Sequence, residues 1–208
     1  MELFLLNFLF LTKKQFHKMK KLTFAFFFFF SISVFAQPDL RKTLSEYLKV
    51  VETKNSERVM DYMYPKFFEL YPRDLMVKTL DESMNDPNLE ILLMDSKILE
   101  ISPLKTADTV TYAKVGYSFV MTLKYVETDE NPAPGEEVIT MTTNIFKQMY
   151  GDENVSFDSG NKKFKVYAKK EMLALKTAGL TDWKVLGIEE KINPLLKKIL
   201  PNEIITDL

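Results

Sequence analysis

The sequence predicts an α+β fold: N-terminal helices packed on a strongly curved antiparallel sheet that forms a half-open cone, with a short C-terminal helix. Three observations predict it. Apolar residues recur with helical spacing up to Pro87 and with strand-like spacing after it. Residues 109–126 form one long alternating run, in which Ala113, Val115, Tyr117, Phe119, Met121, Leu123 and Tyr125 share a face opposite Tyr112, Lys114, Gly116, Ser118, Thr122 and Lys124. One side buried and one side wet suits an antiparallel sheet. A strand that long must coil, because sheets twist, and helices at one end of such a sheet leave a half-open cone.

The elements follow in order. Asp39 is placed to cap a first helix with the stripe Leu40, Leu44, Tyr47, Leu48 and Val51. Asn55 or Ser56 caps a second through Val59, Met60 and Met63, which Pro65 ends. Pro72 sits in the first turn of a third, with Met76, Leu80 and Met84 on one face. Asn85, Asp86, Pro87 and Asn88 have turn chemistry. Strands are then expected over 89–94, 97–102, 109–126, 138–150, 163–177 and 183–188. In 138–150 the alternating set is Ile139, Met141, Ile145 and Met149, with Thr143 and Lys147 in register, so 127–137 is read as an acidic hairpin loop. The run 163–177 is ambiguous, since Met172, Leu173 and Leu175 also fit a helix; Phe164, Val166 and the turn Asp158–Asn161 before it favour a strand, with a bulge near Lys169. Asn193 and Pro194 open the C-terminal helix, with Leu195, Leu196, Ile199 and Leu200, and Pro201 breaks it.

The first 36 residues are a different material. They hold eleven of the 17 phenylalanines, five lysines, one acid (Glu2) and the single histidine, His17. Met19-Lys20-Lys21, an apolar run from Leu22 to Phe35, and Val34 and Ala36 at the −3 and −1 positions read as a secretory signal peptide over 19–36, cleaved after Ala36. Residues 1–18 read as an over-extended start. The rival is a membrane hairpin, whose two segments each fall short of the roughly 20 residues a spanning helix needs. No Cys follows the apolar run, so a lipid anchor at that place is excluded. The expected location is periplasmic or extracellular, with residues 37–208 as a single soluble domain and no membrane contact after cleavage.

Chemistry is bounded by what is missing. There is no Cys, which excludes disulfides, thiolate nucleophiles and Cys-based metal sites. Cleavage would remove the only histidine, and with it histidine general bases and ligands. Residues 37–208 carry 23 basic against 28 acidic side chains, so Lys162, Lys163, Lys165, Lys169 and Lys170 read as a local patch and not a nucleic-acid footprint. An exposed sheet face or a blunted edge is the plain explanation of those lysines. Asp152, Asn154, Asp158 and Gly160 superficially resemble a calcium loop, but the spacing fails the EF-hand pattern. No metal and no cofactor is expected.

The helix over 40–51, the segment Tyr62-Met63-Tyr64-Pro65-Lys66-Phe67-Phe68, the helix over 72–84, the run Tyr150–Phe157, the run Lys170–Lys176, Trp183–Leu186 and the ending Leu200–Ile205 resemble the nuclear transport factor 2-like superfamily, in particular its small secreted bacterial members. The resemblance spans nearly all of 37–208 and rests on order and packing. It implies a cone with a pocket at its open end, and dimerisation through the outer sheet face; it implies no activity, since one fold hosts enzymes, binders and scaffolds. Tyr62, Tyr117, Met141, Thr143 and Trp183 are the residues expected to line the pocket, although each also fits an ordinary core or surface role. The function expected is an exported, non-catalytic binding or interaction module for a small apolar ligand or a partner protein. One alternative is an isomerase- or lyase-type enzyme using a buried carboxylate (Asp61, Asp95 or Glu100) and a tyrosine (Tyr62, Tyr117 or Tyr125). Another is a structural envelope protein whose pocket the C-terminal helix closes.

Overall fold

The computed structural model describes residues 33–128, 132, 134–188 and 193–208. The leader and the residues before it therefore lie, but for 33–36, outside the described residues. Two compact units are distinguished, Met1–Arg41 and Lys42–Leu208. Helix α1, Ser33–Glu52, carries residues of both. It starts six residues before Asp39, which stands inside the helix and is not its cap.

Helix α2, Ser56–Tyr62, begins where Asn55 caps it: the Arg58 N–H donates to Asn55 Oδ1 at 3.0 Å. A 3-10 turn over Pro65–Glu69 and helix α3, Arg73–Met84, follow. Val50, Val59 and Met60 are buried together, with Tyr47, Tyr62, Met76 and Leu80 packed against them. The turn after α3 closes by Asn88 N–H donating to Asp86 Oδ1 at 2.8 Å.

The sheet is antiparallel, in the order β1-β3-β5-β4, with β2 on β3 and β6 on β5. The strands are β1 Leu89–Ile101, β2 Lys105–Ala107, β3 Val110–Tyr125, β4 Val155–Asp158, β5 Lys163–Thr177 and β6 Lys184–Gly187. Strand β1 joins the two segments expected over 89–94 and 97–102. Its register slips between Met94 and Lys97, where Asp95 has φ 56°, and Ser96 N–H donates to Glu52 Oε1 at 2.8 Å. Strands β3 and β5 pair without a slip from Val110 opposite Thr177 to Lys124 opposite Lys163, so there is no bulge at Lys169.

Register assigns the faces. Val115, Ala113, Phe164, Val166, Met172 and Ala174 share one face and are buried. The opposite face, expected to be wet, is divided. At one end Tyr112, Leu173, Leu175 and Leu186 are buried with Leu196, Ile199, Leu200 and Ile204 of the C-terminal segment. Farther along, Ser118 and Thr122 are buried on β3, while directly opposite them on β5 Lys169 and Lys165, with Tyr167 between, are exposed. The wet-face expectation failed because the C-terminal segment supplies a second apolar layer.

Residues 138–150 form no strand. They belong to helix α4, Glu136–Tyr150, so 127–137 leads into a helix and is not a hairpin loop. The local chemistry explains the outcome. Glu136 and Glu137 occupy the first turn and Lys147 the last, which complements the helix dipole. Gly151, at φ 94°, ends the helix, its N–H donating to Lys147 O at 2.9 Å. The C-terminal segment also differs from expectation. Pro201 separates two short helices, α5 Asn193–Leu196 and α6 Asn202–Asp207. Among the described residues no helix is long and apolar enough to cross a membrane.

Candidate functional site

Two of the five expected pocket residues meet. Tyr62 and Trp183 line a cleft of about 320 Å³ together with Thr43, Glu46, Arg58, Asp61, Asp182 and Lys184. The backbone builds it: Met63 pairs with Val185, and Tyr64 N–H donates to Val185 O at 3.0 Å, tying the end of α2 to β6. Trp183 is 3 % exposed, with Lys176 Nζ 5.9 Å from its ring centroid. The rings of Tyr47 and Tyr62 lie 5.7 Å apart, and burial pushes the Tyr47 phenol up to about 12.

Asp61 and Lys184 of this cleft are engaged. Arg73 bridges Glu57 and Asp61, reaching Asp61 Oδ1 at 2.9 Å, and Lys184 Nζ donates to Asp61 O at 2.8 Å. The Asp61 carboxylate is exposed and paired, which is the setting of a surface anchor and not of a desolvated base. Asp95 and Glu100 are exposed on β1. Among the described residues the buried polar side chains are Ser56, Ser118 and Thr122, and no Asp or Glu is buried.

The other three expected residues go elsewhere. Tyr117 is half-buried on the sheet and stacked with Phe119 at 6.1 Å. Met141 and Thr143 are on α4. The Thr143 hydroxyl donates to Ile139 O at 2.7 Å, one turn back along its own helix, which accounts for a polar residue there. Met141 is 57 % exposed. The five residues therefore do not form one pocket.

What sequence reasoning missed is the surface on which Met141 stands. Val138, Met141, Ile145 and Met149 run along one side of α4 and are 40 %, 57 %, 45 % and 56 % exposed. The helix is held from a neighbouring side: Phe146 meets Phe164 edge-on at 5.5 Å, and Thr142 and Tyr125 hydroxyls lie 3.1 Å apart. The spacing of three, four and four residues was visible in the sequence, but it was masked by the alternation Ile139, Met141, Ile145, Met149. An exposed contiguous apolar stripe is a mark of an interaction surface.

The remaining sequence features resolve locally. Asp158 accepts from Gly160 N–H at 2.9 Å and from Asn161 N–H and Nδ2 at 3.2 and 2.7 Å. The Asn161 bonds foremost hold its carboxyl below the ordinary range. The loop that resembled a calcium site is thus closed on itself. No group of three or more potential ligand side chains among the described residues is placed to hold a metal ion. Lys162 pairs with Glu127 at 2.6 Å. Lys163 and Lys165 lie where β5 is paired on both sides, by β3 and β4, so blunting of an edge does not explain them. Comparison of the chain with protein-family models, with curated proteins and with solved structures finds no match in any of the three.

Proposed function

We propose that this protein is an exported, non-catalytic interaction module that docks a partner protein on α4. The apolar stripe Val138, Met141, Ile145 and Met149 carries the reading, because four large side chains kept in water along one helix cost free energy that a partner would recover. The half-open cone of the nuclear transport factor 2-like kind, with the N-terminal helices set on the curved sheet, is the scaffold proposed for it. The order of three helices followed by long antiparallel strands supports that scaffold. A small apolar ligand has less support, since the cleft at Tyr62 and Trp183 is ringed by Glu46, Arg58, Asp61, Asp182 and Lys184. The isomerase- or lyase-type alternative calls for a desolvated carboxyl, and the exposed, paired Asp61 does not favour it.

The test is in-cell cross-linking with mapping of the linked peptides. The expected result is a protein linked to α4 in the wild type and lost in Met141→Asp/Ile145→Asp, with the circular dichroism unchanged. Identical links in both chains would end the proposal. Export is tested separately by N-terminal sequencing of the mature chain, expected to begin at Gln37.

A further inference from the structure

We infer that the cleft at Tyr62 and Trp183 is a binding site for a small zwitterion, a free α-amino acid or a dipeptide, with its carboxylate at Arg58 and its ammonium at Glu46. The inference stands apart from the reading of α4. Three segments build the site: Glu46 stands on α1, Arg58 and Tyr62 share a face of α2 by their spacing of four residues, and Trp183 leads into β6. The volume of about 320 Å³ is at the low end of the roughly 300–1,000 Å³ of small-molecule sites, so the occupant is short.

Trp183 is the buried member of the lining, 3 % exposed, and among the described residues its indole N–H donates to no acceptor. The fully enclosed polar atoms left without a partner are those of Ser56, Tyr64 and Thr122, so the indole N–H is not sealed in and reaches open space. The cleft is the open space that Trp183 lines. A donor held on an otherwise buried ring offers a fixed hydrogen bond to an acceptor that enters.

Charge defines the class of ligand. Arg73 neutralises Asp61, which leaves Arg58 and Lys184 against Glu46 and Asp182. Lys184 Nζ is already engaged by the Asp61 carbonyl at 2.8 Å, and Asp182 accepts from the Thr181 hydroxyl at 2.9 Å. Arg58 and Glu46 are the cation and the carboxylate that remain, and among the described residues neither side chain has a partner. A simple anion would meet the acids and a simple cation the basic groups. A net-neutral molecule carrying both charges avoids either repulsion. The guanidinium suits a carboxylate through two parallel hydrogen bonds, and the Glu46 carboxylate accepts from an ammonium. Both side chains are exposed, so water screens the contacts and the affinity is low, at about 0.1–1 mM.

Trp183 is the only tryptophan of the chain, so its indole N–H gives one nuclear magnetic resonance that reports on this cleft alone. In the isotope-labelled protein it is followed as free glycine, free leucine and glycylglycine are added, each beside its N-acetyl and its amide form. The expected result is a saturable shift with half-saturation near or below about 1 mM for at least one zwitterion, and about tenfold weaker binding of both its blocked forms, the share of one charge-assisted contact. Arg58→Gln should abolish the preference over the amide and Glu46→Gln the preference over the N-acetyl form, with the circular dichroism unchanged. Met141→Asp/Ile145→Asp should leave the shift as in the wild type, which separates this site from α4. A resonance unmoved by all three zwitterions up to about 50 mM overturns the site. A blocked form that binds as tightly as its parent overturns the zwitterion, the N-acetyl form by showing a plain anion site and the amide a plain cation site. Variants that bind as the wild type does overturn the roles of Arg58 and Glu46.

Discussion

Helix α4 and the C-terminal segment 193–208 carry similar apolar side chains to opposite ends. The C-terminal segment buries Leu196, Ile199, Leu200 and Ile204, two of them fully, against Tyr112, Leu173, Leu175 and Leu186. Helix α4 is more than twice as long as either helix of that segment, contains no buried residue, and leaves four large apolar side chains exposed. The difference teaches that apolar content does not decide burial here. The C-terminal segment closes the second face of the sheet and so belongs to the fold. Helix α4 meets the sheet through the side that holds Phe146, and its stripe stays available to something outside the folded chain.

Substitutions break or sharpen this contrast. The largest effect is expected from Ile204→Ala or Leu196→Ala, each costing about 3 kcal/mol in urea unfolding through lost burial and an incompletely collapsed cavity. A loss as small as that of an exposed residue would show that the C-terminal segment is not part of the core. Next is Gly151→Ala. Its φ of 94° and ψ of 146° belong to a region that L-residues rarely enter, so about 1–3 kcal/mol of stability should be lost at the end of α4. An unchanged denaturation midpoint would mean that the turn relaxes without cost.

The third effect depends on pH. Asp207 accepts from Lys105 Nζ at 2.6 Å and from Tyr112 OH at 3.3 Å, and Lys114 Nζ donates to its backbone carbonyl. The Lys105 hydrogen bond foremost, with the nearby Lys114 charge, holds the Asp207 carboxyl below its ordinary value. A lowered carboxyl contributes stability above its unfolded pKa of about 4 and loses it as pH falls through the lower folded value. Asp207→Asn should therefore flatten the fall in thermal midpoint between pH 5 and pH 2, a range of about three units around that titration. Parallel acid profiles for variant and wild type would remove Asp207 from the anchoring of α6. The smallest effect is expected from Ile145→Ala, within about 0.5 kcal/mol of wild type at high dilution, because the side chain it trims is already in water. A core-sized loss there would dissolve the contrast between the two segments.

Much of the fold was legible where one physical signal dominated. Asn55 caps α2, Pro72 precedes α3, and Asp86 closes the turn to β1, each as its chemistry dictates. The long run in β3 reads as a strand because no helical stripe competes with its alternation, whereas in β5 Met172, Leu173 and Leu175 also admit a helix, and Phe164, Val166 and the tight turn before them decide for a strand. Helix α4 was misread because two periods coexist in one segment: Ile139, Met141, Ile145 and Met149 suit a strand, while Val138, Met141, Ile145 and Met149 suit a helix. The deciding marks were at its ends, in Glu136, Glu137, Lys147 and Gly151, and not in its apolar pattern. Strand β4 is too short to carry a period, and the second C-terminal helix lies beyond a proline that looked like a stop. Of the expected pocket, Tyr62 and Trp183 meet, while Tyr117 lies on the sheet and Met141 and Thr143 were placed by a strand that does not exist.

The unbroken ladder between β3 and β5 has a kinetic consequence. Its pairs join Val110 to Thr177 and Lys124 to Lys163, residues far apart along the chain, and everything from α4 to β4 lies inside the loop that this pairing closes. Loop-closure entropy must be met before the central strands reward each other, so the rate-limiting step of folding is expected late, with most of the chain already synthesised. A chain that folds slowly stays threadable for longer, which is the condition a transport channel for unfolded polypeptide demands.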